Sequence, residues 1–316
     1  MTIARAFWTI APGQGELRSE ILPDAAPGML PIRALASGVS RGTEALVFAG
    51  HVPSGLYETM RAPLMGGTLP FPVKYGYSVV GEADDGRRVF VLHPHQDRFV
   101  APSAMCVPVP DAIPTHRAVL GANMETALNL CWDAAPLAGE RVLVIGAGVV
   151  GLLAASLLAR FPATEVTVVD VNPARAELAK RFGCAFATPE AAPANQELIV
   201  HASASESGLR LALDRAAFEG RIIEASWYGD AAPTVPLGER FHTHRLRLVA
   251  TQVGAVASTM RGRRSHAERM AIALTLLDDP AYDALLEGPT LFDDLPEAMP
   301  RILAPGGLCH VITYAT

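Results

Sequence analysis

Three glycines stand at the spacing of a loop that binds a dinucleotide. Gly146, Gly148 and Gly151 form a G-x-G-x-x-G pattern directly after the apolar residues 141–145. In such a loop the first glycine makes a tight turn, the second lets a pyrophosphate approach the backbone, and the third lets a helix pack against the preceding strand. The pattern predicts a strand, a turn and a helix that together hold a nucleotide.

The residues after the glycines support the same interpretation. Val149 and Val150 open the predicted helix, whose first amides would face the phosphates. Asp170 ends a β-branched run, roughly 20 residues further along, where a carboxylate can accept a hydrogen bond from the adenosine ribose. It would repel a 2′-phosphate, so we expect NAD(H) as the cofactor. Arg175 could also reach the ribose or could be a solvated charge.

Residues 142–159 contain no charged side chain and are long enough to span a membrane. The three glycines and the acidic end of the next strand argue against that alternative, and no membrane partner is expected.

Composition excludes several classes of protein. The chain has 316 residues, a formal net charge of -6 and half of its residues hydrophobic, so it is globular and offers no basic face for nucleic acid. Its four cysteines lack C-x-x-C spacing, so neither a disulfide framework nor a structural zinc lobe is implied. The amino terminus has no signal-peptide pattern, and a cytoplasmic location is expected.

The chain changes character near residue 120. Residues 1–118 carry short β-branched runs separated by Pro and Gly, which predicts a β-rich domain. Later strands alternate with helices, which predicts an α/β domain with a doubly wound parallel sheet. We assign residues 122–260 to the nucleotide domain and residues 1–121 and 261–316 to the β-rich domain. The carboxy-terminal part is expected to contain a long helix from about 261, a loop around 289–295 and a closing strand.

This layout resembles the medium-chain dehydrogenase/reductase superfamily over essentially the whole chain. Residues 37–44, 75–81, 139–148 and 220–226 fall where that superfamily has its landmarks. The resemblance implies a GroES-like domain joined to a Rossmann domain. The S-x-G-T-E element and the short length look most similar to the bacteriochlorophyllide dehydrogenase-like branch.

Zinc-containing members of the superfamily have ligands that this chain lacks. Ser40 stands near the position of a cysteine ligand, Tyr77 and Ser78 replace a His-Glu pair, and residues 121–122 offer no further ligand. Hydroxyl groups hold zinc poorly. We therefore expect no catalytic zinc.

Another group must then supply the proton. By resemblance, Thr43 matches a proton-relay hydroxyl, Tyr77 takes the lost histidine position with Ser40 nearby, and His93 falls in the substrate pocket. Tyr77 or His93 is the expected proton donor, and Lys74 could lower the pKa of Tyr77. Alternatively, Tyr77 is a packed core residue, and His93 and His95 are surface-loop histidines.

Further candidates follow the ends of predicted strands. Ala202, Ser203 and Ser226 lie where open α/β sheets bind ligands. Thr126 matches a superfamily position beside the nicotinamide, or it is an ordinary residue at a helix start. His242 and His244 form an H-x-H pair without a third ligand nearby, which favours a loop.

These observations predict a zinc-independent oxidoreductase that moves a hydride between NAD(H) and a small alcohol or carbonyl compound. A zinc-free reductase of activated C=C bonds is one alternative, and a nucleotide-binding protein without catalysis is another. We also expect a homodimer, paired through the apolar, β-prone residues 250–256.

Overall fold

The structure is a computed structural model that describes residues 2–315 and contains two compact units. One unit comprises the chain up to Ala122 together with the chain from Met270, and the other comprises Asn123–Arg269. The sequence analysis places the return of the chain to the β-rich unit at residue 261, whereas in the structure it returns at Met270. Arg269 stays with the nucleotide unit because its side chain donates to Glu125 and Asn129, at 3.0 and 2.6 Å.

The helices and strands are as follows in chain order. The first segment contains β1 (Ile3–Ala11), β2 (Gln14–Ile21), β3 (Met29–Val39), α1 (Arg41–Ala49), β4 (Gly66–Gly67), β5 (Val73–Lys74), β6 (Val79–Ala83), β7 (Arg88–Val91), β8 (Arg98–Pro102), β9 (Val107–Pro108) and α2 (Thr115–Ala118). The second contains α3 (Gly121–Ala134), β10 (Arg141–Ile145), α4 (Val149–Leu158), β11 (Glu165–Val169), α5 (Ala176–Arg181), β12 (Ala185–Ala187), β13 (Gln196–His201), α6 (Glu206–Arg215), β14 (Ala216–Glu224) and β15 (Arg247–Ala250). The third contains α7 (His266–Leu276), β16 (Leu286–Leu291), α8 (Leu295–Ile302) and β17 (Cys309–Thr313).

The first unit is β-rich, as predicted. One sheet has the strand order β2-β1-β5-β4, and a larger one has the order β16-β17-β3-β6-β7-β9, with β8 also paired to β3. The closing strand β17 lies antiparallel to β3, so the carboxy-terminal segment returns to this unit. Apolar side chains from β1, β3, β7, α8 and β17 share one core.

Two expectations for the carboxy-terminal segment were wrong. The stretch 289–295 is not a loop, because β16 continues to Leu291 parallel to β17 and is followed by a helical turn and α8. The register shifts between Glu287 and Thr290, so Gly288 and Pro289 occupy a strand irregularity. The predicted long helix from 261 begins only at His266.

The second unit contains one six-stranded sheet in the order β12-β11-β10-β13-β14-β15, and every neighbouring pair is parallel. This confirms the α/β, doubly wound prediction. The strand order reverses between β10 and β13, and open α/β sheets bind ligands outside the carboxyl ends of strands at such a point.

The membrane-span alternative for residues 142–159 is wrong. They divide into β10, the glycine loop and the ten-residue helix α4. Within residues 2–315, no helix is long and apolar enough to cross a membrane.

Candidate functional site

The glycine loop joins β10 to α4, and each glycine has a separate steric reason. Gly146 has φ +107°, and a Cβ there would lie 2.9 Å from the backbone of Ala202. A Cβ on Gly151 would lie 2.0 Å from the carbonyl oxygen of Gly146, so the helix could not pack as it does. A Cβ on Gly148 would meet nothing within 4 Å. The structure thus leaves open space at the glycine that a pyrophosphate is expected to approach.

The amino end of α4 faces that open space with polar backbone. Gly148 caps the helix without a side-chain hydrogen bond, and Val149 and Val150 form the first turn, whose amides have no partner within a helix. Such a helix end favours a phosphate group. The residues present therefore fit a dinucleotide.

Asp170 follows β11 and braces the glycine loop. Its Oδ2 accepts a hydrogen bond from the Ala147 amide at 2.7 Å, and its Oδ1 accepts one from the Asn172 amide at 2.8 Å. The side chain is half-buried, and Arg175 is half-buried in the single helical turn that follows. Binding of ribose by either residue stays a prediction.

Ala202 and Ser203 follow β13, and Ser226 follows β14, on the ligand-binding edge of the sheet. Two residues that the sequence did not single out hold them there. His201 contacts the Ser203 hydroxyl through Nε2, and Glu224 accepts a hydrogen bond from the Ser226 amide. Only their positions at the last residues of adjacent strands could have indicated this.

Thr126 lies within α3 and not at its start. The helix begins at Gly121, so the helix-start alternative for Thr126 was wrong. Its side chain is half-buried, and its expected place beside the nicotinamide stays a prediction.

In the first unit, three of the predicted residues form one hydrogen-bonded group. The Tyr77 hydroxyl forms hydrogen bonds with the side chains of Ser40 and Thr43 at the start of α1. Burial, and then the nearby Glu44 carboxylate, raise the pKa of Tyr77 to about 12, although both hydrogen bonds oppose the shift. We call these three residues the hydroxyl cluster. Because burial and Glu44 raise its pKa, the Tyr77 phenol in this cluster is protonated near neutral pH.

A buried chain of polar residues supports the hydroxyl cluster, and the sequence interpretation missed these residues. Glu44 accepts a hydrogen bond from the Ser40 amide at 2.7 Å and lies 2.9 Å from His95 Nε2. His95 Nδ1 lies 2.8 Å from the Ser37 hydroxyl, which lies 2.8 Å from the Tyr314 hydroxyl. The Glu of the S-x-G-T-E element and the second His of His-Pro-His were the only sequence signals.

Gly76 is required for this arrangement. It has φ +114°, and a Cβ there would lie 2.9 Å from His95 Nε2. The imidazole therefore packs against the backbone directly before Tyr77.

The surface-loop alternative for His93 and His95 was wrong, because both side chains are buried. The place of His93 in a substrate pocket stays a prediction. The His93 ring stacks on Phe99 with centroids 3.7 Å apart, and Nδ1 donates to the Pro94 carbonyl at 2.9 Å. Burial lowers the pKa of His93 to about 3, so the imidazole is neutral at pH 7 and holds no acidic proton to deliver. The geometry favours Tyr77 over His93 as the donor.

Lys74 points to other partners than Tyr77. Its Nζ donates to Glu20 Oε2 at 2.7 Å and to Gln96 Oε1 at 2.9 Å. The pKa of Tyr77 is raised rather than lowered, so the suggested influence of Lys74 was wrong.

Comparisons with known proteins agree with this fold. Residues 134–217 match the family model of the alanine dehydrogenase/PNT C-terminal domain. D-xylulose reductase A of Aspergillus niger is 25% identical over 221 residues, which cover 68% of this chain and 61% of that protein. An alcohol dehydrogenase from E. coli CFT073, complexed with NADH, is 16% identical with a TM-score of 0.79, covering 99% of this chain and all of that one. A dehydrogenase from Sinorhizobium meliloti 1021, described as zinc-binding and bound to NADP, is 15% identical with a TM-score of 0.79 at the same coverage.

The chain therefore has the fold of these dehydrogenases and is similar in sequence to D-xylulose reductase A. It spans 61% of the length of the curated relatives that match over the longest stretch.

The residues that fall at the zinc position by resemblance to the superfamily, Ser40, Tyr77 and Ser78, carry hydroxyl groups. Ser40 and Tyr77 bond to each other, and the Ser78 hydroxyl donates to the Val119 carbonyl. Within residues 2–315, no three His, Cys, Asp or Glu side chains are grouped to hold a metal, and this includes His242 and His244. The donor chemistry here does not fit zinc.

Proposed function

We propose that this chain is a zinc-independent oxidoreductase that uses NAD(H) to transfer a hydride between nicotinamide and an alcohol or carbonyl substrate. The observation that carries the proposal is the hydroxyl cluster, in which Ser40 and Thr43 hold the Tyr77 phenol. In this proposal the Tyr77 hydroxyl, a hydrogen-bond donor, takes the position that resemblance assigns to a metal ligand in zinc-containing members of the superfamily.

The second unit supplies the cofactor site in this proposal. The glycine loop and the first turn of α4 would hold the pyrophosphate, and a bound nicotinamide supplies the hydride chemistry. Related structures contain NADH in one protein and NADP in another. Our preference for NAD(H) rests on Asp170, whose carboxylate would repel a 2′-phosphate.

The first unit supplies the proton. Reduction of a carbonyl leaves an oxyanion, and donors already aimed at that oxygen lower the barrier. Tyr77 would donate its phenolic proton, while Ser40 and Thr43 fix the direction of the hydroxyl. A phenol with a pKa of about 12 is protonated at neutral pH, which favours reduction over oxidation in that range.

The test is NADH oxidation by the metal-depleted protein across aldehydes, ketones, quinones and enones. Ketoses belong in the panel because relatives are named for D-xylulose. Turnover of aldehydes or ketones supports the proposal. Turnover of enones and quinones alone would identify a C=C reductase, and tight NADH binding without any turnover would identify a nucleotide-binding protein.

We also propose a homodimer formed through the edge of the parallel sheet. The edge strand β15 ends at Ala250, so most of the predicted stretch 250–256 lies beyond the strand and the expectation that it forms the edge was wrong. Leu248 and Val249 on β15 are 37% and 40% exposed. An unpaired apolar edge favours pairing with a second copy. A dimeric mass in light scattering at micromolar concentration is expected, and a monomeric mass would contradict the proposal.

A further inference from the structure

A polar array lies at the carboxyl ends of β13 and β14. His201 and Glu224 are the last residues of these strands and pair in register. The His201 side chain is fully buried, and its Nδ1 lies 2.7 Å from Glu224 Oε2. A buried imidazole and a partly buried carboxylate need partners for their remaining polar atoms, and both have them.

Glu224 connects the array to the loop after β14. Its Oε1 accepts a hydrogen bond from the Ser226 amide at 2.8 Å, and the Tyr228 hydroxyl donates to Oε2 at 3.2 Å. The Ser226 hydroxyl in turn accepts a hydrogen bond from the Ala204 amide at 3.0 Å. The loops after β13 and β14 are therefore linked.

His201 connects the array to the loop after β13. Its Nε2 lies 2.7 Å from the Ser203 hydroxyl, which lies 2.8 Å from the Ser205 hydroxyl. Ser205 caps α6 by accepting a hydrogen bond from the Gly208 amide at 3.1 Å. When His201 donates from Nδ1 to Glu224, the Ser203 hydroxyl donates to His201 Nε2 and the Ser205 hydroxyl donates to Ser203. These hydrogen bonds then all run in one direction.

Steric evidence shows that the path of this loop is tightly determined. A Cβ on Gly208 would lie 2.3 Å from the Ser203 hydroxyl and 2.7 Å from His201 Nε2. Ala204 has φ +50°, a conformation that costs energy for an alanine. On its other side the loop touches the nucleotide loop, because a Cβ on Gly146 would lie 2.9 Å from the Ser203 amide nitrogen.

We propose that His201 is a positioning residue of the nucleotide site, which sets the affinity for NAD(H) by holding Ser203 and the adjoining backbone against the glycine loop. The inference rests on the proposed use of NAD(H). His201 itself is buried and acts through Ser203 and Glu224.

The experiment measures NADH binding by fluorescence titration, well below the unfolding temperature, for the unsubstituted chain, His201→Gln and Ser203→Ala. Glutamine can reach only one of the two partners of His201. We expect both variants to bind NADH about 10-fold more weakly, the effect typical of leaving one buried polar group unsatisfied.

Arg221→Gln is the matched control. Arg221 also lies on β14, but it donates to Glu140 at 2.8 and 3.0 Å, just before β10 and hence at the amino ends of the strands. We expect this variant to lose thermal stability and to bind NADH like the unsubstituted chain.

Several results would overturn the inference. If His201→Gln and Ser203→Ala lowered only the melting temperature, His201 would be structural. If Arg221→Gln weakened NADH binding equally, the effect would reflect general loosening of the sheet. If the unsubstituted chain bound neither NADH nor NADPH, the proposed function would fail, and this inference would fail with it.

Discussion

Each unit of the molecule contains a carboxylate, an imidazole and a serine hydroxyl joined in that order. The first group is Glu44, His95 and Ser37, and the second is Glu224, His201 and Ser203. The distances are similar, at 2.9 and 2.8 Å in the first and 2.7 Å for both contacts in the second. The imidazole is turned around between them, because Nε2 faces the carboxylate in the first group and Nδ1 does so in the second.

Their surroundings differ more than their geometry. The first group is closed, since Glu44 is 5% exposed and the chain ends at the buried Tyr314. The second is open, since it ends at the half-buried Ser203 and Tyr228 on the ligand-binding edge of the sheet. The same three residue types therefore support only neighbouring residues in the first unit, whereas in the second unit they lie where they can position a ligand.

Tyr77→Phe should have the largest effect. It removes the phenolic hydroxyl that Ser40 and Thr43 hold, and loss of such a donor typically costs about 3 to 4 kcal/mol in the transition state. We expect kcat for carbonyl reduction to fall at least about 100-fold, with NADH affinity unchanged. Tyr75→Phe is the control, since Tyr75 is a buried neighbour in an edge-on contact with Tyr77. Equal losses in both variants would contradict the assignment.

His93→Gln tests whether the buried His93 imidazole is neutral in the folded protein. His93 has a folded-state pKa of about 3 against an ordinary value of 6.5, so the unfolded chain takes up a proton that the folded chain refuses. Stability is fully present above pH 6.5 and is lost as the pH falls toward 3, by about 1.4 kcal/mol per pH unit. Urea unfolding at pH 7 and pH 5 should show a smaller loss in the variant. An unchanged loss would mean that His93 is charged when folded.

Asp170→Asn tests the cofactor preference of the second unit. The amide keeps an acceptor for the Ala147 amide but removes the charge that would repel a 2′-phosphate. The preference for NADH over NADPH should fall about 10-fold in binding titrations. Equal affinity for both cofactors in the unsubstituted chain would contradict the role of Asp170.

Glu44→Gln should produce the smallest change, a shift in pH dependence. The carboxylate disfavours the Tyr77 phenolate, so its removal should lower the pKa of Tyr77. The pH profile of alcohol oxidation should move to lower pH, because oxidation needs the phenolate. Lys74→Met is the control and should leave the profile in place, since Lys74 is bonded to Glu20 and Gln96.

The difference between the two units also explains what could be predicted. The glycine loop, the helix start and Asp170 lie within 25 consecutive residues, and local spacing is enough to identify them. The parallel sheet followed from alternation of strands and helices, and the structure confirms it.

The closed group could not be predicted in the same way. His95 is 51 residues from Glu44 and 58 from Ser37, while Tyr314 is 277 from Ser37, so only the folded sheet brings them together. Histidines beside prolines suggest a loop, and nothing local distinguishes the stacked His93 from the bonded His95. His201 was overlooked because it belongs to a strand that otherwise looks like core.

The central claim is that the hydroxyl cluster takes the place of a metal. The most direct test is the rate of carbonyl reduction by NADH before and after chelation, with zinc per chain determined on the same sample. The account predicts no stoichiometric zinc and an unchanged kcat. One tightly held zinc per chain, with activity lost on chelation and restored by zinc, would contradict it.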